Sequence, residues 1–340
     1  METGRFPWKW RLSDIEQPGA DAPTVFSVFA CGGGSSMGYK RAGFRVLGCC
    51  EIDPAINAIY KQNLHPRFSY AMDVRDFNKL DEYPDELMSL DVLDGSPPCS
   101  TFSMAGDRER AWGKQKRFAE GQKLQTLDDL FFVFLETVER LRPKVVVAEN
   151  VKGLIQGNAK GYVNEIIRRF GSLGYDVQLF LLNASRMGVP QMRERVFFVA
   201  NRMGYGKLRL DFRDRPVTFG EVREPHGKPM KSADMSVYRE ARHGETSLKN
   251  AMERTTGKGS RFNEVLLWDD CTPATLCASG VVTRMCDLTR ATPRDLLNIA
   301  TFPQDYAVPP NKAKFVAGMS VPPSMMANVA HEIKRQWLEA

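Results

Sequence analysis

Two residues of this 340-residue chain, Cys99 and Glu149, have the type and setting of reactive groups. Cys99 follows Pro97 and Pro98, and the two prolines stiffen the backbone that presents the thiol. A thiol held in this way can be a nucleophile, although an isolated cysteine is more often an unreactive core residue. Glu149 follows a buried apolar run, where a carboxylate can donate a proton or simply cap the chain.

Two arginines, Arg193 and Arg195, form a second candidate group at the entry to another apolar run. Residues two apart on a strand share one face, so both guanidinium groups are expected to point the same way. Such a pair suits a phosphate or a polarised oxygen, and the structural alternative is a salt-bridge ladder on an edge strand.

The elements that must position these groups begin with a strand, a glycine turn and a helix over residues 23–44. Glycine lets a ligand approach the backbone closely. The next strand ends in Glu51 and Asp53, and a third strand end carries Asp73. In α/β folds a carboxylate at such an end binds ribose hydroxyls, so the pattern favours a nucleoside pocket over an ordinary loop. Phosphate-binding motifs such as G-x-G-x-x-G are absent from the sequence.

Composition indicates a globular chain with one large domain and a smaller one, since 43% of residues are apolar and 26% are charged. No apolar run approaches ~18 residues and no signal peptide is recognisable, so we expect a cytoplasmic or nucleoid-associated protein without a membrane partner. Cys271, Cys277 and Cys286 lack C-x-x-C spacing, so no metal site is predicted. The net charge of +6 permits a polyanionic partner.

The motifs occur in the order F-A-C-G-G-G, E-I-D, D-V, P-P-C, E-N-V, Q-x-R-x-R and G-M-S-V, which resembles the series of cytosine-5 DNA methyltransferases. The resemblance implies an α/β, Rossmann-like, S-adenosylmethionine-dependent methyltransferase domain with a small inserted target-recognition domain. The expected segments are an N-terminal extension (1–22), the catalytic domain (23–202 and 271–340) and the recognition domain (203–270).

The resemblance also implies roles for individual residues. Cys99 would attack carbon 6 of a flipped cytosine, Glu149 would protonate ring nitrogen 3, and Arg193 and Arg195 would hold the ring oxygen and an adjacent phosphate. The residues expected to bind S-adenosylmethionine are Phe29, Ala30, Gly33, Gly34, Glu51, Ile52, Asp73, Val74, Pro98, Leu130, Ser320 and Val321.

Two residues depart from the family pattern, and two further segments have an expected role. Cys31 replaces a glycine that is usual in the family, and Met319 replaces an asparagine, which puts the cofactor loop and pocket in question. The basic segment 104–123 is expected to close over DNA as a lid. Within 203–270, the side chains that could contact bases or phosphates are Arg239, Arg242, His243 and Lys249.

The expected partner is double-stranded DNA, and the protein is expected to be a monomer. An RNA cytosine methyltransferase is the first alternative, because relatives that methylate tRNA share the P-P-C and E-N-V motifs. A non-catalytic DNA-binding protein of the same fold is the second, although it would have no need of a nucleophile.

Overall fold

The computed structural model describes residues 5–98, 130–156, 160–230, 232–259, 261 and 263–339. Chain packing divides these residues into two compact units. The large-sheet unit consists of Glu16–Leu182, Glu194–Asp211 and Val329–Ala340. The small-sheet unit consists of Met1–Ile15, Asn183–Arg193 and Phe212–Asn328. Cys99 and the basic segment 104–123 lie outside the described residues.

A seven-stranded sheet forms the centre of the large-sheet unit. Its strands are β1 (Thr24–Val28), β2 (Arg45–Cys50), β3 (Phe68–Tyr70), β4 (Val92–Gly95), β5 (Val145–Val151), β6 (Asp176–Asn183) and β7 (Glu194–Asn201). Their order is β3-β2-β1-β4-β5-β7-β6, parallel from β3 to β5 and antiparallel between β5 and β7. The order reverses between β1 and β4, where open α/β sheets bind ligands at the carboxyl ends of their strands. The Rossmann-like α/β fold expected from the sequence is confirmed.

Six helices accompany this sheet in the described part of the unit: α1 (Gly34–Arg41), α2 (Pro54–Leu64), α3 (Val74–Phe77), α4 (Asp85–Met88), α5 (Leu130–Leu141) and α6 (Lys160–Ser172). Asp53 caps the N-terminus of helix α2, and its carboxylate accepts hydrogen bonds from the amides of Ala55 and Ile56. A single apolar cluster includes residues of β1, β4 and β5 together with the inner faces of α5 and α6. This core holds the strand ends that carry the candidate site.

The small-sheet unit contains a three-stranded sheet of β8 (Val265–Leu267), β9 (Val282–Arg284) and β10 (Thr289–Arg290). Its helices are α7 (Ser232–Arg239), α8 (Lys249–Thr256), α9 (Pro293–Ile299) and α10 (Ala313–Met319), and α11 (Pro323–Ile333) contributes to both units. Arg284 is fully buried, with its guanidinium 2.9 Å from Asp287 and 3.5 Å from Asp295. Burying a charge without such partners would be strongly unfavourable.

The N-terminal segment packs within the small-sheet unit. The indole of Trp10 donates a hydrogen bond of 2.8 Å to the carbonyl of Thr301, and the Trp10 carbonyl accepts one from Gln304. The amides of Leu12 and Ser13 donate to the carboxylate of Asp305. Residues 1–22 have no role predicted from the sequence, and the contacts of Trp10, Leu12 and Ser13 show that the described part of this segment up to Ile15 packs within the small-sheet unit.

The two compact units differ from the predicted segments in where they divide the chain. Residues 271–328 belong to the same unit as 212–270, although the sequence grouped them with the catalytic domain. Units defined by packing need not coincide with functional domains, so the recognition segment 203–270 stays a prediction. Within the described ranges, no helix is both long enough and apolar enough to cross a bilayer.

Candidate active site

The P-P-C loop leaves the carboxyl end of β4, next to the position where the strand order of the sheet reverses. Pro98 is half-buried, and Cys99 follows it outside the described residues. The side-chain amide of Asn150, at the end of β5, donates a hydrogen bond of 3.2 Å to the carbonyl of Pro97. Asn150 also accepts a hydrogen bond from the amide of Val151. The E-N-V tip therefore contacts the chain two residues before the predicted nucleophile.

Glu149 and Arg195 form an ion pair at the same edge of the sheet. The Nε atom of Arg195 lies 2.8 Å from Oε1 of Glu149, and the side chains are 13% and 9% exposed. The two residues lie on neighbouring antiparallel strands, since Val151 pairs with Arg195 and Glu149 with Phe197. The structure thus brings together the predicted acid and one predicted arginine. Proton donation by Glu149 requires a substrate that displaces or shares this contact.

Arg193 requires a correction, because its guanidinium does not have the expected setting. It precedes the first residue of β7, so the two-residue strand repeat does not apply to it. The side chain is 2% exposed and donates to the carbonyls of Leu276, Gly318 and Ser320. These contacts all lie within the small-sheet unit, where Arg193 cross-links separate segments of the chain.

The glycine turn after β1 has an unusual backbone. Phe29, Cys31 and Gly33 have φ angles of 53°, 47° and 83°, in the left-handed region that favours glycine. For a residue with a side chain this conformation costs on the order of 1 kcal/mol, so other contacts must hold it. The amide of Cys31 donates a hydrogen bond of 2.8 Å to Oε2 of Glu51. Cys31 therefore takes up a glycine-like conformation despite its side chain.

Glu51 also binds the backbone that follows it, because its Oε1 atom accepts a hydrogen bond of 3.0 Å from the amide of Asp53. A carboxylate accepts up to about four hydrogen bonds. The Glu51 carboxylate can therefore accept hydrogen bonds from the backbone of the turn and from ribose hydroxyls at the same time. Asp73 caps α3 through the amide of Arg75 and lies 3.3 Å from its guanidinium. Contact between Asp73 and an adenine amino group stays a prediction.

Five other predicted cofactor residues fall into two groups. Val74 and Leu130 are buried in the apolar cluster of the large-sheet unit, and the partly buried Phe29 packs against that cluster. Apolar side chains next to a strand-end carboxylate suit an adenosine. Ser320 and Val321 follow α10 in the small-sheet unit, and the buried Ser320 hydroxyl has no hydrogen-bond partner among the described residues. An orphaned buried hydroxyl fits a ligand contact, whereas Met319 is 47% exposed.

A buried carboxylate, Asp94, lies under this edge and was not given a role from the sequence. Its Oδ2 accepts a hydrogen bond of 3.0 Å from Ser27 of β1, and Ser27 is 3.1 Å from Ser36 of α1. The hydroxyl of Tyr60 donates to Ser36. Burial raises the pKa of Asp94 to about 7, the charge of Glu149 adds to the rise, and the Ser27 hydrogen bond opposes it. The signal in the sequence was an aspartate inside an apolar strand, one residue before Gly95.

Asp94 should make the stability of the protein depend on pH. An unfolded aspartate titrates near 3.9, so between about pH 4 and about pH 7 the folded state holds the extra proton. Stability is then fully present below about pH 4 and falls by about 1.4 kcal/mol per pH unit as the pH rises through this window. Asp94→Asn should remove that decline, measured as denaturant unfolding at about pH 5 and about pH 8. The exposed Asp81→Asn is the control, and an unchanged decline in Asp94→Asn would contradict the assignment.

Comparison with known proteins identifies the family. Residues 24–264 match the family model of the C-5 cytosine-specific DNA methylases, which is more than half of the chain. The chain therefore belongs to the C-5 cytosine-specific DNA methylase family. This confirms the resemblance drawn from the motif order.

Individual relatives agree with this assignment. The chain is 33% identical over 183 residues to the Type II methyltransferase M.NgoPII of Neisseria gonorrhoeae, which is 52% of this chain and 48% of that protein. It is 34% identical over 187 residues to M1.HphI of Haemophilus parahaemolyticus, covering 53% and 46%. The chain thus spans about half the length of the curated relatives it matches.

Solved structures show the same fold at low sequence identity. A putative DNA modification methyltransferase encoded within an E. coli prophage has a TM-score of 0.69 and 19% identity, covering 94% of this chain and all of that one. A Spodoptera frugiperda DNMT2 mutant has a TM-score of 0.62 and 16% identity, covering 92% and 99%.

Proposed function

We propose that the chain is a DNA (cytosine-5-)-methyltransferase that transfers a methyl group from S-adenosylmethionine to carbon 5 of a flipped cytosine in duplex DNA, through a covalent Cys99 adduct. The observation that carries the proposal is the strand edge where Glu149 pairs with Arg195 and Asn150 binds the carbonyl of Pro97. In the sequence, Cys99 follows Pro97 and Pro98 directly, and all of these residues lie within the segment that matches the methylase family.

Carbon 5 of cytosine is a poor nucleophile, so the ring must first become electron-rich. The Cys99 thiolate would do this by adding to carbon 6, and Glu149 would donate a proton to ring nitrogen 3 as charge develops there. Arg195, held beside Glu149, would bind the ring oxygen. Carbon 5 of the resulting enamine would then take the methyl group, and S-adenosylhomocysteine would leave. Loss of the carbon 5 proton to solvent would restore the double bond and expel Cys99 as its thiolate, while Glu149 takes back the proton from nitrogen 3. A stacked base cannot reach these groups, so the cytosine must be flipped out of the duplex.

S-adenosylmethionine, when bound, supplies an electrophilic methyl group. In this proposal Glu51 accepts the ribose hydroxyls, Asp73 accepts the adenine amino group, and apolar side chains including Val74 and Leu130 line the base. The support is that these residues adjoin the glycine turn or the buried apolar cluster of the large-sheet unit. The other residues of the large-sheet unit proposed to bind S-adenosylmethionine are Phe29, Ala30, Gly33, Gly34, Ile52 and Pro98. The proposed roles of Ser320 and Val321 rest on the motif resemblance.

Glu51→Gln should weaken S-adenosylmethionine binding. The change removes a charge-assisted hydrogen bond to the ribose, worth roughly 1.5 to 3 kcal/mol or about 10- to 150-fold in affinity. Calorimetric titration measures this loss, and thermal unfolding of the free variant reports any loosening of the Cys31 turn. The exposed Glu82→Gln serves as the control. An unchanged affinity would remove Glu51 from the pocket.

Residues 203–270 are proposed to select the target sequence. Phosphate contacts add affinity alone, whereas each base-edge contact discriminates by about 1 to 3 kcal/mol. Exchanging this segment for that of another family member should therefore redirect methylation while trapping by Cys99 persists. Bisulfite sequencing of the treated DNA reads the outcome. An active chimera that still modified the original site would place recognition elsewhere in the chain.

Substrate class is tested by incubating the purified protein with methyl-tritiated S-adenosylmethionine and either duplex DNA or tRNA. The family model and the Type II relatives favour DNA, so label should appear in duplex DNA and depend on Cys99. Label in tRNA alone would support the RNA alternative, and no transfer to either would support a binding protein.

We further propose that the protein acts as a monomer where the DNA is, in the cytoplasm or nucleoid.

A further inference from the structure

Two tight turns of the small-sheet unit present side chains that can bind a metal ion. The first turn runs from Arg242 to Glu245 and is closed by a hydrogen bond of 3.0 Å from the Glu245 amide to the Arg242 carbonyl. Gly244 has a φ of 83°, and the Arg242 amide donates to the Glu245 carboxylate. Arg254 contacts the same carboxylate. His243 therefore projects from a turn that is fixed at both ends.

The second turn runs from Trp268 to Cys271 and is closed by a hydrogen bond of 3.1 Å from the Cys271 amide to the Trp268 carbonyl. Its backbone is held from outside as well, because the amide of Phe219 donates to the Cys271 carbonyl and that of Gly220 to the Asp269 carbonyl. Positions on both sides of Asp270 are thus restrained before any ligand arrives.

The donor atoms of His243, Asp270 and Cys271 all lie within 4.8 Å of one another. Nε2 of His243 is 2.9 Å from Oδ1 of Asp270, and Sγ of Cys271 is 3.7 Å from the same oxygen. A tetrahedral zinc ion with bonds of about 2.0 to 2.3 Å requires neighbouring donors about 3.3 to 3.6 Å apart. Small side-chain rotations would satisfy this requirement.

An outer contact orients the imidazole. The ring of Trp268 lies edge-on to the His243 ring, with centroids 5.0 Å apart, and its indole donates a hydrogen bond of 2.8 Å to the Glu245 carbonyl. Trp268 therefore joins the two turns and restricts the His243 ring. Groups that fix a ligand in this way commonly strengthen metal binding.

We propose that His243, Asp270 and Cys271 bind one divalent cation of the zinc class, with water as the fourth ligand. Imidazole and thiolate together select such an ion over magnesium or calcium, which prefer oxygen ligands. On binding, the Cys271 thiol releases its proton to solvent and the sulfur bonds to the metal. The ion ties the 242–245 turn to the 268–271 turn. Cysteine spacing alone gave no hint of the site, because its other ligands are not cysteines.

The test uses untagged, chelator-treated full-length protein titrated with Zn²⁺ by calorimetry and with Co²⁺ by absorption spectroscopy. We expect one ion per chain and a thiolate-to-cobalt charge-transfer band. Cys271→Ser should abolish the band, and His243→Ala should weaken binding by about tenfold or more. The matched controls are the exposed His226→Ala and Cys286→Ser.

Zn²⁺ should also raise the unfolding temperature of the wild type and of both controls, but not that of Cys271→Ser. This readout does not depend on methylation, so it stands apart from the proposed function. Failure of the wild type to bind Zn²⁺ would leave His243 and Asp270 as an ordinary surface ion pair and overturn the proposal. Binding of equal strength in the wild type and Cys271→Ser would overturn it too, because the ion would then lie elsewhere.

Discussion

In the presence of S-adenosylmethionine, duplex DNA that carries 5-fluorocytosine at the target should form a covalent complex with the wild-type protein that survives denaturation, and Cys99→Ser should form none. The reason lies in the last step of the proposed reaction, where loss of the carbon 5 proton expels the cysteine. Fluorine cannot leave as a proton, so the adduct at carbon 6 persists. Denaturing gel electrophoresis with labelled DNA measures the complex.

The trapping experiment needs a cysteine control, because the chain has seven thiols. Cys286 is exposed, so Cys286→Ser removes an accessible thiol outside the proposed site and should trap DNA as the wild type does. Peptide mapping of the complex should place the nucleotide on Cys99. An adduct with Cys99→Ser, or with a different cysteine, would remove Cys99 from the mechanism.

Glu149→Gln should lower the turnover number by roughly 10²- to 10⁴-fold, the usual contribution of a general acid. Glutamine can still accept a hydrogen bond from Arg195 but cannot supply a proton, so the fold should survive the change. Glu149→Ala is less informative, since it removes the carboxylate partner of the nearly buried Arg195, at a cost of roughly 3 to 5 kcal/mol in stability. Single-turnover methylation and thermal unfolding separate the two effects.

Glu194 supplies the matched control for this substitution. It is the first residue of β7, and its carboxylate pairs with Lys152 at 2.8 Å, but its side chain is 41% exposed. Glu194→Gln should therefore leave turnover within about twofold of the wild type, because exposed ion pairs contribute little. Equal losses in both variants would indicate a general electrostatic effect and not proton donation by Glu149.

The sequence was most informative where a local pattern determines position. A polar residue that borders an apolar run lies at or near a strand end, and this pattern predicts the positions of Glu51 and Glu149 near the carboxyl ends of β2 and β5 and of Arg195 near the start of β7. Parallel strands end at one edge, so the approach of the E-N-V tip to the P-P-C loop followed from the fold class.

Features that depend on packing were not visible in the sequence. Arg193 lies one residue before β7, where the alternation of side chains along a strand no longer determines the direction of its guanidinium. The left-handed conformation of Cys31 depends on a hydrogen bond to Glu51, twenty residues away. Asp94 acquires its raised pKa from burial beneath α1. Each of these needs contacts between segments that are distant in the chain.

The most direct test of the central claim is the chemical identity of the product. Duplex DNA is incubated with the protein and S-adenosylmethionine, digested to nucleosides and analysed by mass spectrometry against synthetic standards. The mechanism predicts 5-methyl-2′-deoxycytidine, formed by the wild type and absent with Cys99→Ser. Methylation at the exocyclic nitrogen of cytosine or adenine, or 5-methyl-2′-deoxycytidine formed equally by Cys99→Ser, would contradict it.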